Sequence, residues 1–94
     1  MNTYVSLLRF TEKGAAQITD SANRAESFDA AAKAAGVEIV AQYWTIGAYD
    51  GILIVRADSE AKALHWLAEL NSKGNVRTES MQAFTAEEFR TIVS

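Results

Sequence analysis

The residue best suited to chemistry in this sequence is Asp50, which stands immediately before the apolar segment "GILIV". A carboxylate on a mostly apolar sheet face loses hydration, which raises its pKa towards the range that a general base or acid needs. The alternative is structural. Asp50 would then accept hydrogen bonds from loop amides or pair with an arginine, and so fix a turn. Both interpretations stay open, and Asp50 is the candidate catalytic residue.

Two tyrosines and an arginine join Asp50 as candidate ligand-binding residues. Tyr43 and Tyr49 could each donate a hydroxyl hydrogen bond to a small molecule, although aromatic strand residues are also ordinary core material. Arg24, near the start of a predicted helix, could reach an anion or could form only a solvated ion pair.

His65, the only histidine, completes the set of ligand-binding candidates. It lies one position from the apolar stripe of a predicted helix, so a solvated boundary position is the alternative. Spacing supplies neither a nucleophile nor a base for a triad. One histidine without cysteine cannot form a transition-metal site of the usual composition, so we expect no metal and no cofactor.

Composition limits the classes of function. The chain has 94 residues, 49% hydrophobic, with no cysteine and a net charge of −3. We expect a single domain over residues 1–94, whose solitary core would be marginal and which oligomerisation could stabilise. The chain has no basic block, which makes nucleic acid a poor partner. The N-terminal apolar run is too short for a signal peptide or a membrane span, so we expect a cytoplasmic protein.

Hydrophobic periodicity and turn residues predict the elements that must position these candidates. Strands are predicted over residues 4–10, 37–46, 51–57 and 76–84. Asp20 or Ser21 would cap a first helix that stops at Gly36, and Asp58 or Ser59 would cap a second that stops at Gly74. A capping box formed by Thr85 and Glu88 would begin a short C-terminal helix.

The order β-α-β-β-α-β is that of an α+β, ferredoxin-like fold. Right-handed crossovers then give a four-stranded antiparallel sheet in the order 4-1-3-2. On the second helix we expect a core stripe of Ala57, Ala61, Leu64 and Ala68. Trp66 points away from that stripe, which predicts a second interface there or a contact with the C-terminal helix.

Strand three, "GILIVRA", is apolar on both faces, yet two helices can cover only one face of the sheet. Leaving the other face wet would expose a patch larger than monomers usually tolerate. We therefore expect a homodimer in which two sheets face each other across a two-fold axis, and such dimers could associate into a higher oligomer.

The turn between strands two and three decides which side chains face the partner. A two-residue turn at Gly47-Ala48 would place Trp44 opposite Gly51 and Tyr43 opposite Ile52. A rival turn at Asp50-Gly51 would flip the pairing. In the first register Leu53 and Val55 lie under the helices. The open face would then carry eight side chains, four of them from strand two: Asp50, Ile52, Ile54 and Arg56, with Ile39, Ala41, Tyr43 and Thr45.

Several separated motifs resemble the GYD family, which is named for the residues that stand here as Gly47, Tyr49 and Asp50. They are "TEKG", Arg24, Gly36, "YWTIGAYD", "GNVRTE" and "FTAEEF". The resemblance implies a dimeric α/β barrel, in which ferredoxin-like domains pair through their sheets, and it implies no reaction. The sequence departs from the family pattern at Arg56, where an acidic residue is usual.

Two classes of function follow. One is a small oligomeric domain that binds a small molecule or acts structurally, without catalysis. The other is a cofactor-independent isomerase or monooxygenase acting on an aromatic or polyketide-like compound, which rests on fold analogy. A closed pocket with Asp50 or Tyr43 on its wall would favour the enzyme, and a solidly packed sheet interface would favour the structural role.

Overall fold

Strands and helices alternate along the chain in the computed structural model, which describes residues Met1–Ser94. The strands are β1 (Asn2–Phe10), β2 (Val37–Trp44), β3 (Gly51–Ala57) and β4 (Val76–Ala83). The helices are α1 (Glu12–Ala16), α2 (Ser21–Ala34), α3 (Glu60–Ser72) and α4 (Ala86–Val93), with a 3₁₀ turn at Ile18–Asp20. The α+β, ferredoxin-like class is confirmed.

The antiparallel sheet has the order β2-β3-β1-β4, which is the predicted order read from the other edge. Helices α2 and α3 pack on one face, which we call the helix face. Leu53 and Val55 lie buried there, as predicted. The rest of the core lies around them and consists mainly of small and aromatic residues: Tyr4, Ala32, Val37, Ala57, Ala63 and Trp66.

Most of the predicted helix ends are found. The Ser59 hydroxyl accepts from the backbone of Lys62, and Thr85 and Glu88 form the reciprocal capping box. Asp20 occupies the cap position of α2, but its side chain makes no capping hydrogen bond. The preceding 3₁₀ turn supplies a backbone bond there instead, since the N–H of Ser21 donates to the carbonyl of Ile18.

Helix α1 was not predicted, because the sequence there showed only a short polar stretch. The Thr11 hydroxyl accepts from the backbone of Gly14 at 3.2 Å and donates to the carbonyl of Gly74 at 2.6 Å. The backbone N–H of Thr11 also donates to the carbonyl of Asn75 at 3.0 Å. Long-range contacts with the loop before β4 therefore hold α1, and a local pattern does not reveal them.

The hairpin follows the first predicted register. Trp44 pairs with Gly51 and Tyr43 with Ile52, so the rival turn at Asp50-Gly51 is wrong. Gly47 has a φ of 142°, which only glycine adopts without strain.

One part of the predicted face assignment is wrong. The pairing shifts by one residue between Ile39 and Ala41, which is a β-bulge at Val40. Because side chains alternate along a strand, the extra residue places Ile39 on the helix face, against the core, and leaves Glu38 with Arg56 on the other face. The Arg56–Glu38 ion pair spans 3.8 Å.

The predicted core stripe of α3 is also wrong. Leu64 is 70% exposed, whereas Ala63, Trp66 and Leu67 are buried. The stripe was counted from Ala57, which belongs to β3, so the helical phase began one element too early. Trp66 instead packs on Phe28 of α2, with ring centroids 4.1 Å apart, and not on α4.

No helix covers the second face of the sheet, which we call the open face. Its centre consists of half-buried aliphatic side chains flanked by the exposed Tyr43 and Met81: Val5, Leu7, Ile52 and Ile54. Helix α4 does not cover this face either, since every one of its residues is exposed and it has no substantial contact with other elements. Phe89, Ile92 and Val93 leave α4 with an uncovered apolar side.

Candidate functional site

A cavity of about 640 Å³ lies between the helix face of the sheet and helices α2 and α3, at the end of the sheet near the β2–β3 hairpin. Its wall is mainly apolar and aromatic, and it includes Leu8, Phe28, Trp66 and Leu70. A volume of a few hundred Å³ is typical of sites that take a small organic molecule.

The sequence explains why the space opens at this end. At the other end Ala32, Ala57 and Ala63 are almost fully buried, and their small side chains let the helices lie close to the sheet. The cavity lies at the hairpin end, where both α2 and α3 contribute residues to its wall. Small residues there, Ala25 and Gly51 among them, leave the space between helix and sheet unfilled.

Two buried polar atoms at the cavity have no hydrogen-bond partner. They are the indole nitrogen Nε1 of Trp66 and the side-chain oxygen Oδ1 of Asn75. Trp66 as a whole is only 5% exposed. Both residues belong to the cavity wall. An unpaired buried donor or acceptor costs about 1–3 kcal/mol, so such atoms are rare unless a ligand or water completes them.

Two of the predicted site residues, Asp50 and Arg24, contribute to the cavity wall, so the prediction that Asp50 faces the open side is wrong. Tyr43 borders the cavity through its backbone, because its side chain lies on the open face with that of Ile52. Oδ2 of Asp50 accepts from the backbone N–H of Phe10 at 2.7 Å, and the backbone N–H of Asp50 donates to the carbonyl of Leu8 at 2.8 Å. This carboxylate therefore joins the end of β1 to the hairpin, and its Oδ1 makes no hydrogen bond. Arg24 donates to the carbonyl of Gln17 at 2.9 Å and forms no ion pair.

Tyr49 lies outside the cavity, in a polar cluster at the hairpin end. Its hydroxyl donates to Glu79 at 2.9 Å, and the guanidinium of Arg9 lies 4.5 Å from the centre of its ring. Arg9 also approaches Glu79 at 3.7 Å. The hydrogen bond to the Glu79 carboxylate is the main cause that raises the pKa of the Tyr49 hydroxyl, because ionisation would break it.

His65 lies on the solvent side of α3, 74% exposed at its side chain, with Nε2 3.6 Å from Glu69. It is not part of the cavity wall. The structure therefore separates the five candidate residues into a cavity group, a hairpin cluster and a lone surface histidine.

The sequence pattern did not reveal the residues that give the cavity its aromatic and hydrogen-bonding character. Trp66 was assigned to the wrong side of α3, and Phe28 and Asn75 were not singled out. An apolar spacing of i, i+3, i+4 and i+7 over Ala63, Trp66, Leu67 and Leu70 was the available signal for the α3 wall. No local signal marks Asn75, since Thr11 and Gly14, far away in the sequence, contact its backbone and fix its position.

No helix is long and apolar enough to cross a membrane. A Thermus thermophilus protein described as a "glutamine synthetase and cystathionine beta-lyase binding protein" is 30% identical over 84 residues, which is 88% of each chain. No solved structure matches significantly. The sequence profile of the GYD domain matches residues 4–93. The chain therefore belongs to the GYD domain family.

Proposed function

We propose that this protein is a binding protein without catalytic activity, which works as a homodimer joined through the open sheet face and binds other proteins. The observation that carries the proposal is the apolar centre of that face, which no element of the chain covers. The polar residues around it form a rim, as in known interfaces. The Arg56–Glu38 and Arg9–Glu79 ion pairs lie in this rim.

The surface area of the chain supports a second copy. The accessible surface is 6188 Å² for a chain of 10.3 kDa. A folded monomer of that mass is expected to expose roughly 5,400 Å². The excess of about 800 Å² equals what one partner buries in a standard protein interface. Part of the excess belongs to the projecting α4, whose apolar side would also gain from a partner.

Only 13 of the 94 residues are buried within one chain, which is a small core for an independent domain. The Cα atoms span only 17 Å in the thinnest direction, so the molecule is one sheet with one layer of helices. A second sheet packed on the open face would give the central aliphatic side chains a buried environment on both sides.

The kind of partner is inferred from the relative. That Thermus thermophilus protein is described as binding two metabolic enzymes, and we infer that this chain also binds an enzyme. The test is surface plasmon resonance of the purified protein against purified glutamine synthetase and cystathionine β-lyase. Saturable binding to either supports the proposal, and no binding to both contradicts the partner class.

The dimer is tested by replacing Ile54 in the centre of the open face with glutamate. We expect Ile54→Glu to sediment as a monomer, because a buried unpaired carboxylate is strongly unfavourable. The matched control is Leu64→Glu, which places the same charge at an exposed aliphatic position on α3. A wild-type protein that sediments as a monomer at high concentration, or an Ile54→Glu variant that stays dimeric, contradicts the dimer.

The cavity favours a second candidate function, a cofactor-independent enzyme acting on a small molecule. The carboxylate of Asp50 lies on the cavity wall beside the aromatic side chains. Asp50 would be the acid or base, with Oδ1 left free by the bond between Oδ2 and the amide of Phe10.

Replacement of Asp50 separates this candidate from the structural role of the same residue. Asp50→Asn keeps an oxygen for the amide of Phe10 but loses the charge, so we expect a loss of stability of about 1 kcal/mol in urea unfolding. If a substrate is found, a folded Asp50→Asn variant that turns it over normally rules out Asp50 as the catalytic group.

A further inference from the structure

We propose that the cavity between the helix face and helices α2 and α3 binds an uncharged, flat aromatic molecule that carries both a carbonyl group and an N–H or O–H group. The carbonyl would accept from Nε1 of Trp66, and the N–H or O–H would donate to Oδ1 of Asn75. This inference is independent of the proposed dimer, since the cavity lies on the opposite side of the sheet from the open face.

The wall of the cavity selects an aromatic occupant. Trp66 of α3 and Phe28 of α2 are in ring-to-ring contact, with centroids 4.1 Å apart and planes inclined at 31°. Both residues belong to the cavity wall and offer it an aromatic surface. Trp44 stands at the hairpin end of the wall, with its own indole nitrogen already donating to the hydroxyl of Ser21 at 2.9 Å. Flat rings bury large areas against such side chains and gain from offset stacking.

The charges of the wall select an uncharged occupant. The two cations Arg24 and Lys73 stand against three carboxylates, those of Asp20, Asp50 and Glu69, which leaves a net charge of only −1. Neither sign dominates, so nothing in the wall repays the loss of hydration that a charged ligand would suffer on entering.

The two unpaired atoms set the hydrogen-bonding pattern. Indole Nε1 can only donate and a carboxamide oxygen can only accept, so the ligand must offer one acceptor and one donor. Both atoms are shielded from solvent, so a ligand reaches them only when neighbouring side chains move. Phe28 is half-buried and packs on the indole of Trp66, and its rotation would open that route.

The probe for the test is 2-quinolone, a neutral bicyclic lactam with the required carbonyl and N–H. Titration into the ¹⁵N-labelled protein is followed by the two tryptophan indole N–H signals, assigned with Trp66→Phe. We expect a saturable shift of the Trp66 signal with a dissociation constant below about 1 mM, larger than the shift of the Trp44 signal. Absence of saturable binding up to that concentration overturns the proposal.

Variants and analogues then separate the two hydrogen bonds. Trp66→Phe keeps a ring but removes the donor, and we expect a three- to tenfold loss of affinity, the range expected for about one hydrogen bond. N-methyl-2-quinolone, which lacks the donor, should bind wild type more weakly by a similar factor, and Asn75→Ala should not weaken it further. Unchanged affinity of 2-quinolone for Trp66→Phe overturns the assigned contact.

Further variants and a charged probe test where the molecule binds and what charge the site accepts. Ala25→Phe fills the cavity from α2 and should abolish binding of 2-quinolone while the circular dichroism spectrum stays native. The control Leu64→Ser, on the solvent side of α3, should bind 2-quinolone normally.

The anion 2-naphthoate should bind more weakly than 2-quinolone, and tighter binding of the anion overturns the uncharged class. Ile54→Glu should bind the probe like wild type, so failure of the dimer and failure of the ligand site are distinguishable.

Discussion

At the scale of single residues, the hairpin cluster shows how a surface tyrosine is tuned by its neighbours. The Tyr49 hydroxyl donates to Glu79, and Arg9 lies over the Tyr49 ring. The pKa of Tyr49 is raised, first by this hydrogen bond and then by desolvation and by the charge of Glu79, while Arg9 acts in the opposite direction. The cluster therefore holds the hairpin to β4 as long as the hydroxyl keeps its proton.

We predict that Glu79→Gln lowers the pKa of Tyr49, because the uncharged amide no longer opposes ionisation of the hydroxyl. Ring-carbon NMR of the tyrosines across alkaline pH measures this shift. The contribution of a raised pKa to stability is fully present below the ordinary tyrosine pKa and is lost as pH rises through the raised one. The control is Glu38→Gln, which removes the partner of Arg56 on the same sheet. An equal shift in both variants would refute the assignment to Glu79.

At the scale of elements, α1 connects the end of β1 to the loop before β4. Gly14 is buried at the contact, and a Cβ atom there would overlap the backbone carbonyl of Asn75. Lys13 adds a bond to the carbonyl of Lys73 at 2.9 Å. Because Asn75 belongs to the cavity wall, the contacts of α1 with this loop help to fix one wall of the candidate site.

We predict that Gly14→Ala lowers the free energy of unfolding by about 1–3 kcal/mol, since neither backbone segment can move without losing its hydrogen bonds. Urea unfolding measures the loss. Ala15→Ser, at the exposed neighbouring position in the same helix, is the control and should change stability by less than about 0.5 kcal/mol. A stable Gly14→Ala protein would mean that α1 is free to shift away from the loop.

At the scale of the whole molecule, stability and assembly are linked under the proposed function. A homodimer is stabilised by mass action, so its apparent melting temperature rises with protein concentration. We predict such a rise for wild type and Leu64→Glu, and a concentration-independent, lower melting temperature for Ile54→Glu. Calorimetry over a wide concentration range measures it. A wild-type melting temperature that does not change with concentration counts against the dimer.

The sequence by itself determined the order of the four strands and the three longer helices, the strand order in the sheet, the hairpin register and most helix ends. These features depend on local signals, such as the glycines at 47 and 74, the Thr85–Glu88 capping box and the doubly apolar strand β3. It also indicated an uncovered sheet face, because counting apolar positions against available helices needs no coordinates.

Only the tertiary structure decided the candidate site. The bulge at Val40 moved Ile39 to the helix face, and the true phase of α3 brought Trp66 inside. Contacts of Thr11 and Gly14 with the Asn75 backbone placed Asn75 at the cavity, whose wall combines residues of the sheet, α2 and α3. Each of these depends on contacts between residues far apart in the chain, which local periodicity does not encode. A single inserted residue or a shifted helical phase reverses which side of an element faces inward.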